Sequence, residues 1–188
     1  MNLNRCSWVN EDPLYRSYHD EEWGKPLYDD QKLFELLMLE GVQAGLSWYT
    51  VLKKRDRYRV VFDGFDPDKI VLYDEDKCAE LMNDAGIIRN RMKIKSIIRN
   101  AEVFKQIIKD EGSFANYVWS FVGGVPIVNH WASKAEVPVT TPQSDAMSYG
   151  LKKKGMKFVG STICYAYMQA SGMVNDHTLD CFCRDKML

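Results

Sequence analysis

The feature that most constrains the fold is the apolar periodicity of residues 91–110. Ile94, Ile97, Ile98, Ala101, Phe104, Ile107 and Ile108 recur at helical spacing and Gly112 follows as a stop. Such a segment is a long amphipathic helix that must bury one face against other elements. The same pattern recurs along the chain. Asp30 opens a helix with a Leu33, Leu36, Leu37 and Ala44 stripe, loosened at its end by Gly41 and Gly45. Ser47 caps a second helix carrying Trp48, Val51, Leu52, Tyr58 and Phe62. Asp66-Pro67 pairs a cap with a proline at the first helical position, and a short helix follows Asp74 and stops by Gly86. Ser113 caps 114–122, Pro142 opens a helix ending near Gly155, and a last helix runs from about Gly160 to Ser171, with Gly172 as its stop. Residues 125–141, with Pro126 and Pro138, read as an extended connection. Strand-like alternation is nowhere sustained, so the expected fold is all-α.

A chain of 188 residues fits one domain or two interlocked lobes, and we expect a single unit over 1–188. The formal net charge of −1 does not advertise a nucleic-acid binder, so any DNA contact must come from a local basic patch. Five cysteines, Cys6, Cys78, Cys164, Cys181 and Cys183, are odd in number and unevenly spaced, unlike a secreted disulfide framework. In a reducing compartment such cysteines are buried fillers or metal ligands. No basic-then-apolar leader and no long apolar span are visible. The expectation is a soluble, cytoplasmic monomer with no membrane partner.

One basic patch stands out. Residues 81–98 read as helix, tight turn, helix, with Gly86-Ile87-Ile88-Arg89-Asn90-Arg91 at the turn. A helix N-terminus behind a glycine turn presents backbone N–H groups that suit a phosphate, and Arg89, Arg91, Lys93 and Lys95 crowd there. A solvated connection between two helices would look the same. The basic runs 53–59 and 152–157 more often mean a solvated face.

Glu40 is the most informative single residue. It continues the Leu33, Leu36 and Leu37 stripe, where a carboxylate is costly unless paired. It is either a satisfied core carboxylate, an edge residue, or the floor of a pocket that accepts a ligand amine. Trp8, Tyr15, Tyr18 and Trp23 cluster near the N-terminus, and Trp48 lies just beyond Glu40. Aromatic planes of this kind hold bases extruded from a duplex, although an aromatic mini-core is the commoner use of any one of them. Cys6 and His19 at one end, with His177 and Cys181 at the other, make a closed tetrahedral set for zinc, the alternative being unliganded cysteines and surface histidines. His177 and Cys181 share a helical-turn spacing; the Cys6–His19 gap is long, and Cys183 competes as a ligand. Four protein ligands leave no position for an activated water, so such a zinc would be structural and would tie the termini together.

Taken in order, these residues resemble the 3-methyladenine DNA glycosylase I family. The likeness begins at Arg5-Cys6-Ser7-Trp8-Val9, Asp12-Pro13-Leu14-Tyr15 and Tyr18-His19-Asp20-Glu21-Glu22-Trp23-Gly24. It continues through Leu39-Glu40-Gly41, Gln43-Ala44-Gly45-Leu46-Ser47-Trp48 and Asp84-Ala85-Gly86-Ile87-Ile88-Arg89. It ends with Val118-Trp119-Ser120-Phe121, Lys157-Phe158-Val159-Gly160, Thr162-Ile163-Cys164-Tyr165 and Val174-Asn175-Asp176-His177. The departures fall in 125–138 and in the tail 182–188. The resemblance implies a helix-hairpin-helix glycosylase fold with a degenerate hairpin. It implies one structural zinc on Cys6, His19, His177 and Cys181, and base recognition by Glu40 among Trp8, Tyr15, Tyr18, Trp23 and Trp48. Gly45 and Leu46 would approach the gap left by the extruded nucleotide, and Gly86, Arg89, Arg91 and Lys93 would hold backbone phosphate. The implied reaction is hydrolysis of the N-glycosidic bond of 3-methyladenine in alkylated double-stranded DNA, with the free base as product. Asp110 receives no catalytic role from it. The rival readings are another lesion on the same scaffold, a zinc-stabilised DNA-binding module without catalysis, and a zinc hydrolase.

Overall fold

A computed structural model of the chain describes residues 3–187; residues 1, 2 and 188 lie outside it. Ten α-helices carry the described residues, and their boundaries follow local chemistry. α1 (Pro13–Glu21) starts with proline behind an Asp12 cap whose carboxylate accepts from the Leu14 N–H. α2 (Asp30–Gln43) is capped by Asp29. α3 (Trp48–Leu52) is capped by Ser47, and α4 (Arg55–Val61), α5 (Pro67–Ile70) and α6 (Glu75–Asn83) follow. α7 (Arg91–Glu111), the longest, is capped by the Asn90 side chain and ended by Gly112 at φ 83°. α8 (Phe114–Ser120), α9 (Pro142–Lys154) and α10 (Ser161–Ala170) complete the set, with a capping box at Thr141 and Ser144 opening α9.

The all-α expectation holds with one addition. β1 (Ile127–Val128) pairs in parallel with β2 (Val174–Asn175), fastening the connection between α8 and α9 to the segment after α10. Two boundaries differ from expectation. The N-terminal aromatic segment, to which sequence reading assigns no element, is helical over Pro13–Glu21 as α1, with Trp8 before it and Trp23 after it. The helix expected from Ser47 onward breaks at Lys53–Lys54 into α3 and α4. Val51 of α3 and Tyr58, Val61 and Phe62 beyond the break enter the larger apolar cluster, and Leu52 joins the smaller.

Those clusters organise the molecule. The larger surrounds α2 and α7, with Leu33, Phe34, Leu37, Ile94, Ile97, Phe104 and Phe114 nearly solvent-free. The smaller gathers Cys6, Tyr18, Trp23, Leu52, Cys181 and Cys183, with Trp8, Tyr15 and Trp48 packed against it. The chain ends meet there: the Phe182 N–H donates to the Asn4 carbonyl at 3.0 Å, and Asn4 Nδ2 donates to Asp180 Oδ2 at 2.7 Å. Gly172 permits a close approach nearby. It sits at φ 72°, and a Cβ there would lie 2.3 Å from the Lys25 backbone.

Candidate active site

Between the aromatic cluster and α10 lies a cavity of about 370 Å³. Trp8 precedes α1, Tyr15 and Tyr18 stand on α1, Trp23 follows it, and Trp48 opens α3. All five line the cavity. Trp8 contacts Tyr15 and Trp23, with ring centroids 5.1 Å apart in each pair, and Tyr18 meets Trp48 at 5.4 Å. The aromatics expected from sequence thus form one continuous wall.

Glu40 reaches this cavity from the last turn of α2. It is 3% exposed, and its Oε2 has no hydrogen-bond partner. Burial alone pushes its carboxyl up to about 8. Burial and then the charge of Glu40 also raise the phenols of Tyr15 and Tyr18. A buried polar atom without a partner costs about 1–3 kcal/mol, so the pocket is chemically incomplete as it stands. Trp48 Nε1 is a second buried orphan in the same wall, this one a donor.

A second carboxylate lines the cavity, and sequence reading gave it no role. Asp176 is buried and accepts four hydrogen bonds. Asn129 Nδ2 at 2.7 Å and Trp131 Nε1 at 2.8 Å reach Oδ1, while Tyr165 Oη at 2.6 Å and Gln169 Nε2 at 2.7 Å reach Oδ2. Tyr165 and Gln169 also line the cavity, as do Gln43, Lys134, Val137, Pro138 and Val139. The available signal was the i, i+4 spacing of Tyr165 and Gln169 on one face of α10.

Cys6, His19, His177 and Cys181 meet directly behind Trp8 and Trp23. All four are buried, and one ligand atom from each lies within 4.8 Å of the others. Cys181 Sγ lies 3.4 Å from His19 Nε2 and 3.3 Å from His177 Nδ1, and Cys6 Sγ lies 3.5 Å from His177 Nδ1. The outer ring nitrogens are engaged elsewhere. His19 Nδ1 faces Asp20 Oδ1 at 2.8 Å, and His177 Nε2 faces the Trp23 carbonyl at 3.2 Å. Acceptors on the outer nitrogens hold the outer N–H and turn each inner lone pair toward the centre, the arrangement of a metal-binding histidine. The two thiols act on each other, which lowers the Cys181 thiol well below its ordinary range and raises that of Cys6. The described residues fit a metal ion that takes two thiolates and two imidazoles. Cys183 stands apart, 3.9 Å from the outer nitrogen of His19, outside the four-atom set.

The basic hairpin is only partly as expected. Lys93 is a correction. It is buried, and its ammonium donates to the Val42 carbonyl at 2.7 Å and the Ala44 carbonyl at 2.6 Å. It satisfies the C-terminal carbonyls of α2 instead of facing solvent. The Gly86 N–H is likewise taken, by Asp84 Oδ1 at 2.7 Å. The Ile88 N–H donates to Tyr58 Oη and the Lys93 N–H to Asn90 Oδ1, which leaves those of Arg91 and Met92 at the start of α7. Arg89 is exposed; Arg91 and Lys95 both pair with Glu75. Gly45 and Leu46 form an exposed turn after α2, with Gly45 at φ 78°.

The profile of the family described as methyladenine glycosylase matches residues 8–184. The DNA-3-methyladenine glycosylase 1 of Escherichia coli K12 is 52% identical over 181 residues, which cover 96% of this chain and 97% of that protein. A crystal structure of a 3-methyladenine DNA glycosylase I superposes with a TM-score of 0.95 at 53% identity, covering 96% of this chain and 100% of the other. A variant of a 3-methyladenine DNA glycosylase I, solved in complex with 3-methyladenine, gives a TM-score of 0.93 at 34% identity, covering 97% of this chain and 98% of the other.

Proposed function

The chain belongs to the methyladenine glycosylase family, and on that premise we propose how its own residues carry the reaction. It is a monofunctional DNA glycosylase that hydrolyses the N-glycosidic bond of 3-methyladenine. In our reading the duplex is opened and the lesion turned out, which costs less for a damaged base. The base enters the cavity and stacks against the wall of Trp8, Tyr15, Tyr18, Trp23 and Trp48. Glu40 accepts a hydrogen bond from the exocyclic amine. The observation that carries this reading is the Glu40 carboxyl, buried without a partner in an aromatic cavity.

A nucleotide methylated at N3 carries positive charge on the base, so its glycosidic bond is already weak. No strong acid is needed: the glycosidic electron pair leaves with the base, which departs neutral, and water adds to the sugar carbon and gives up a proton to solvent. No side chain is assigned as nucleophile. Leu46, on the exposed turn one element away from Glu40, is our candidate to fill the vacated stack, with Gly45 giving the turn its left-handed backbone. Arg89, Arg91 and the free N–H groups opening α7 are our candidates for backbone phosphate, without reading sequence. Gly86 keeps that turn tight, since a Cβ there would lie 2.5 Å from the Arg57 side chain.

We take the ion behind the pocket to be zinc, held by Cys6, His19, His177 and Cys181. Two thiolates and two imidazoles suit it, and a filled tetrahedral shell gives it a structural role. Among the described residues no helix is long and apolar enough to cross a membrane. We further propose a cytoplasmic monomer, residues 1–188 acting as one unit on double-stranded DNA. The test is chromatography of the bases released from methylated duplex by wild-type protein and by Glu40→Gln. Free 3-methyladenine released by the wild type and strongly diminished in the variant is the expected result. Equal release by both would remove Glu40 from base recognition.

A further inference from the structure

Lys93 is a buried charged side chain to which the reaction described above gives no part. It is the third residue of α7, and its ammonium crosses to the end of α2. There it donates to the Val42 carbonyl at 2.7 Å and to the Ala44 carbonyl at 2.6 Å. A cation in that place sits at the negative end of the helix macrodipole. The two carbonyls bracket the point where α2 gives way to the turn of Gly45 and Leu46. Beyond them the turn holds itself by little. The Leu46 N–H donates to the Gln43 carbonyl at 2.6 Å, and Gly45, Leu46 and Ser47 are exposed. Among the described residues Lys93 is the one side chain hydrogen-bonded to the backbone of 42–46. Its own backbone lies at the phosphate candidates. Lys93 follows Arg91 and Met92, whose N–H groups are left free at the start of α7, and its N–H is held by Asn90 Oδ1 at 3.1 Å. One lysine thus spans the two loops that face the duplex.

We propose that Lys93 is a positioning residue that fixes the Gly45–Leu46 turn against the N-terminus of α7, so that Leu46 enters the stack at a set distance from the phosphate that α7 holds. The proposal rests on the reading of Leu46 as the side chain that fills the vacated stack. An ammonium suits this task better than a neutral donor. It carries three N–H bonds on one atom, so it binds two carbonyls at once, and bonds from a charged donor are the stronger kind. A turn held only by its own backbone bond would have to be ordered at each encounter with DNA. Fixing it beforehand removes that cost. A displacement of about 1 Å in such a part is enough to slow a reaction by about a hundredfold.

The test is a double-mutant cycle of Lys93→Met and Leu46→Ala, read as single-turnover release of 3-methyladenine from methylated duplex at saturating protein. Methionine keeps most of the stem and removes the donors. Lys93→Met alone should slow release by about ten- to a hundredfold. With Leu46→Ala already present it should slow release hardly further, because nothing is left to position. Losses that multiply would mean that Lys93 acts elsewhere and would overturn the proposal. Two more readouts separate positioning from a damaged pocket and from a lost phosphate contact. Lys93→Met should bind free 3-methyladenine as the wild type does, followed by tryptophan fluorescence. It should also keep the wild-type salt slope on undamaged duplex. Weaker base binding would make Lys93 a support of the pocket, and a flatter slope would make it a phosphate ligand; either result overturns the proposal. If Lys93→Met does not fold, Lys93→Arg decides. It keeps charge and donors on a longer, planar head, so release should fall in the wild-type background and not beside Leu46→Ala. Wild-type release by Lys93→Arg would show that any cation serves there, against a positioning role. Undiminished release by Leu46→Ala alone would instead refute the insertion reading, and the proposal with it.

Discussion

Two carboxylates line one cavity, and their environments are opposite. Asp176 accepts four hydrogen bonds; Glu40 has a buried oxygen that accepts none. Both are nearly solvent-free, so burial does not distinguish them. The difference lies in donors. A buried polar group that the protein satisfies belongs to the architecture, and one that it leaves unsatisfied is held in readiness for something else. The contrast predicts that the same chemical change, carboxylate to amide, has opposite effects at the two positions.

The largest effect is expected at Asp176. Asparagine there would turn an amide N–H₂ toward Tyr165 and Gln169 or toward Asn129 and Trp131; the hydroxyl and amide partners could turn to accept from it, but the hydrogens they now donate would then lose their acceptor. At about 1–3 kcal/mol for each unpaired buried group, Asp176→Asn should lose roughly 3–5 kcal/mol. Urea unfolding at pH 7 measures it. A loss below about 1 kcal/mol would mean the four bonds contribute little.

Glu40→Gln should move the other way, and its sign depends on pH. The folded carboxyl is raised from 4.5 to about 8 by burial. A raised carboxyl favours the fold while both states are protonated, below the unfolded value. That favour drains away as pH rises from about 4.5 through about 8. The amide does not titrate. Glu40→Gln should therefore match the wild type near pH 4 and exceed it increasingly to about pH 8.5, by a few kcal/mol and at most about 5. Unfolding curves across that range check it. A parallel offset at every pH would show that Glu40 is not the titrating group.

The legibility of the chain divides along the same line. Helices with a side-chain cap and a glycine stop, such as α7 between Asn90 and Gly112, could be read directly, because both signals are local. The break at Lys53–Lys54 could not, since no glycine or proline marks it. The four metal-ligand candidates were legible from cysteines and histidines gathered near the two ends, with Cys183 left competing, and Glu40 from its place on an apolar stripe. Asp176 was not, because its meaning lies in donors from residues 129, 131, 165 and 169, which only the fold assembles. Lys93 was misread for the same reason: a lysine in a basic patch looks solvated until the carbonyls of Val42 and Ala44 are placed beside it.

That inward turn also narrows the DNA contact and gives a smaller prediction. With Lys93 withdrawn, the hairpin offers Arg89, Arg91 and Lys95, and Glu75 already shares the last two. Reversing both arginine charges, Arg89→Glu with Arg91→Glu, should weaken duplex binding on all sequences alike. The slope of log affinity against log salt should flatten by about one to two. Salt titrations by fluorescence anisotropy decide it, and an unchanged slope would move the phosphate contact elsewhere.

The smallest effect concerns the base that Glu40 admits. The adenine exocyclic amine is a donor where guanine presents a carbonyl oxygen. An ionised Glu40 can only accept, so against guanine two acceptors face one another in a dry pocket. A protonated Glu40 carries an O–H that can donate to that oxygen, and the mismatch is relieved. The folded carboxyl titrates at about 8, so the pocket passes from tolerant to strict across an accessible pH range. An unpaired buried acceptor costs about 1–3 kcal/mol, which sets the bias against 7-methylguanine at roughly tenfold or more once Glu40 is ionised. Preference for 3-methyladenine over 7-methylguanine should therefore widen from pH 6.5 to 9 in the wild type, in step with the approach to about 8. Glu40→Gln presents an amide that can rotate to donate or accept, so its preference should be narrower and flat with pH. Release of both bases from one methylated duplex, measured together at each pH, cancels differences in DNA binding. A wild-type ratio that does not change across this range would show that Glu40 holds one protonation state throughout, or that the base is read by the aromatic wall alone.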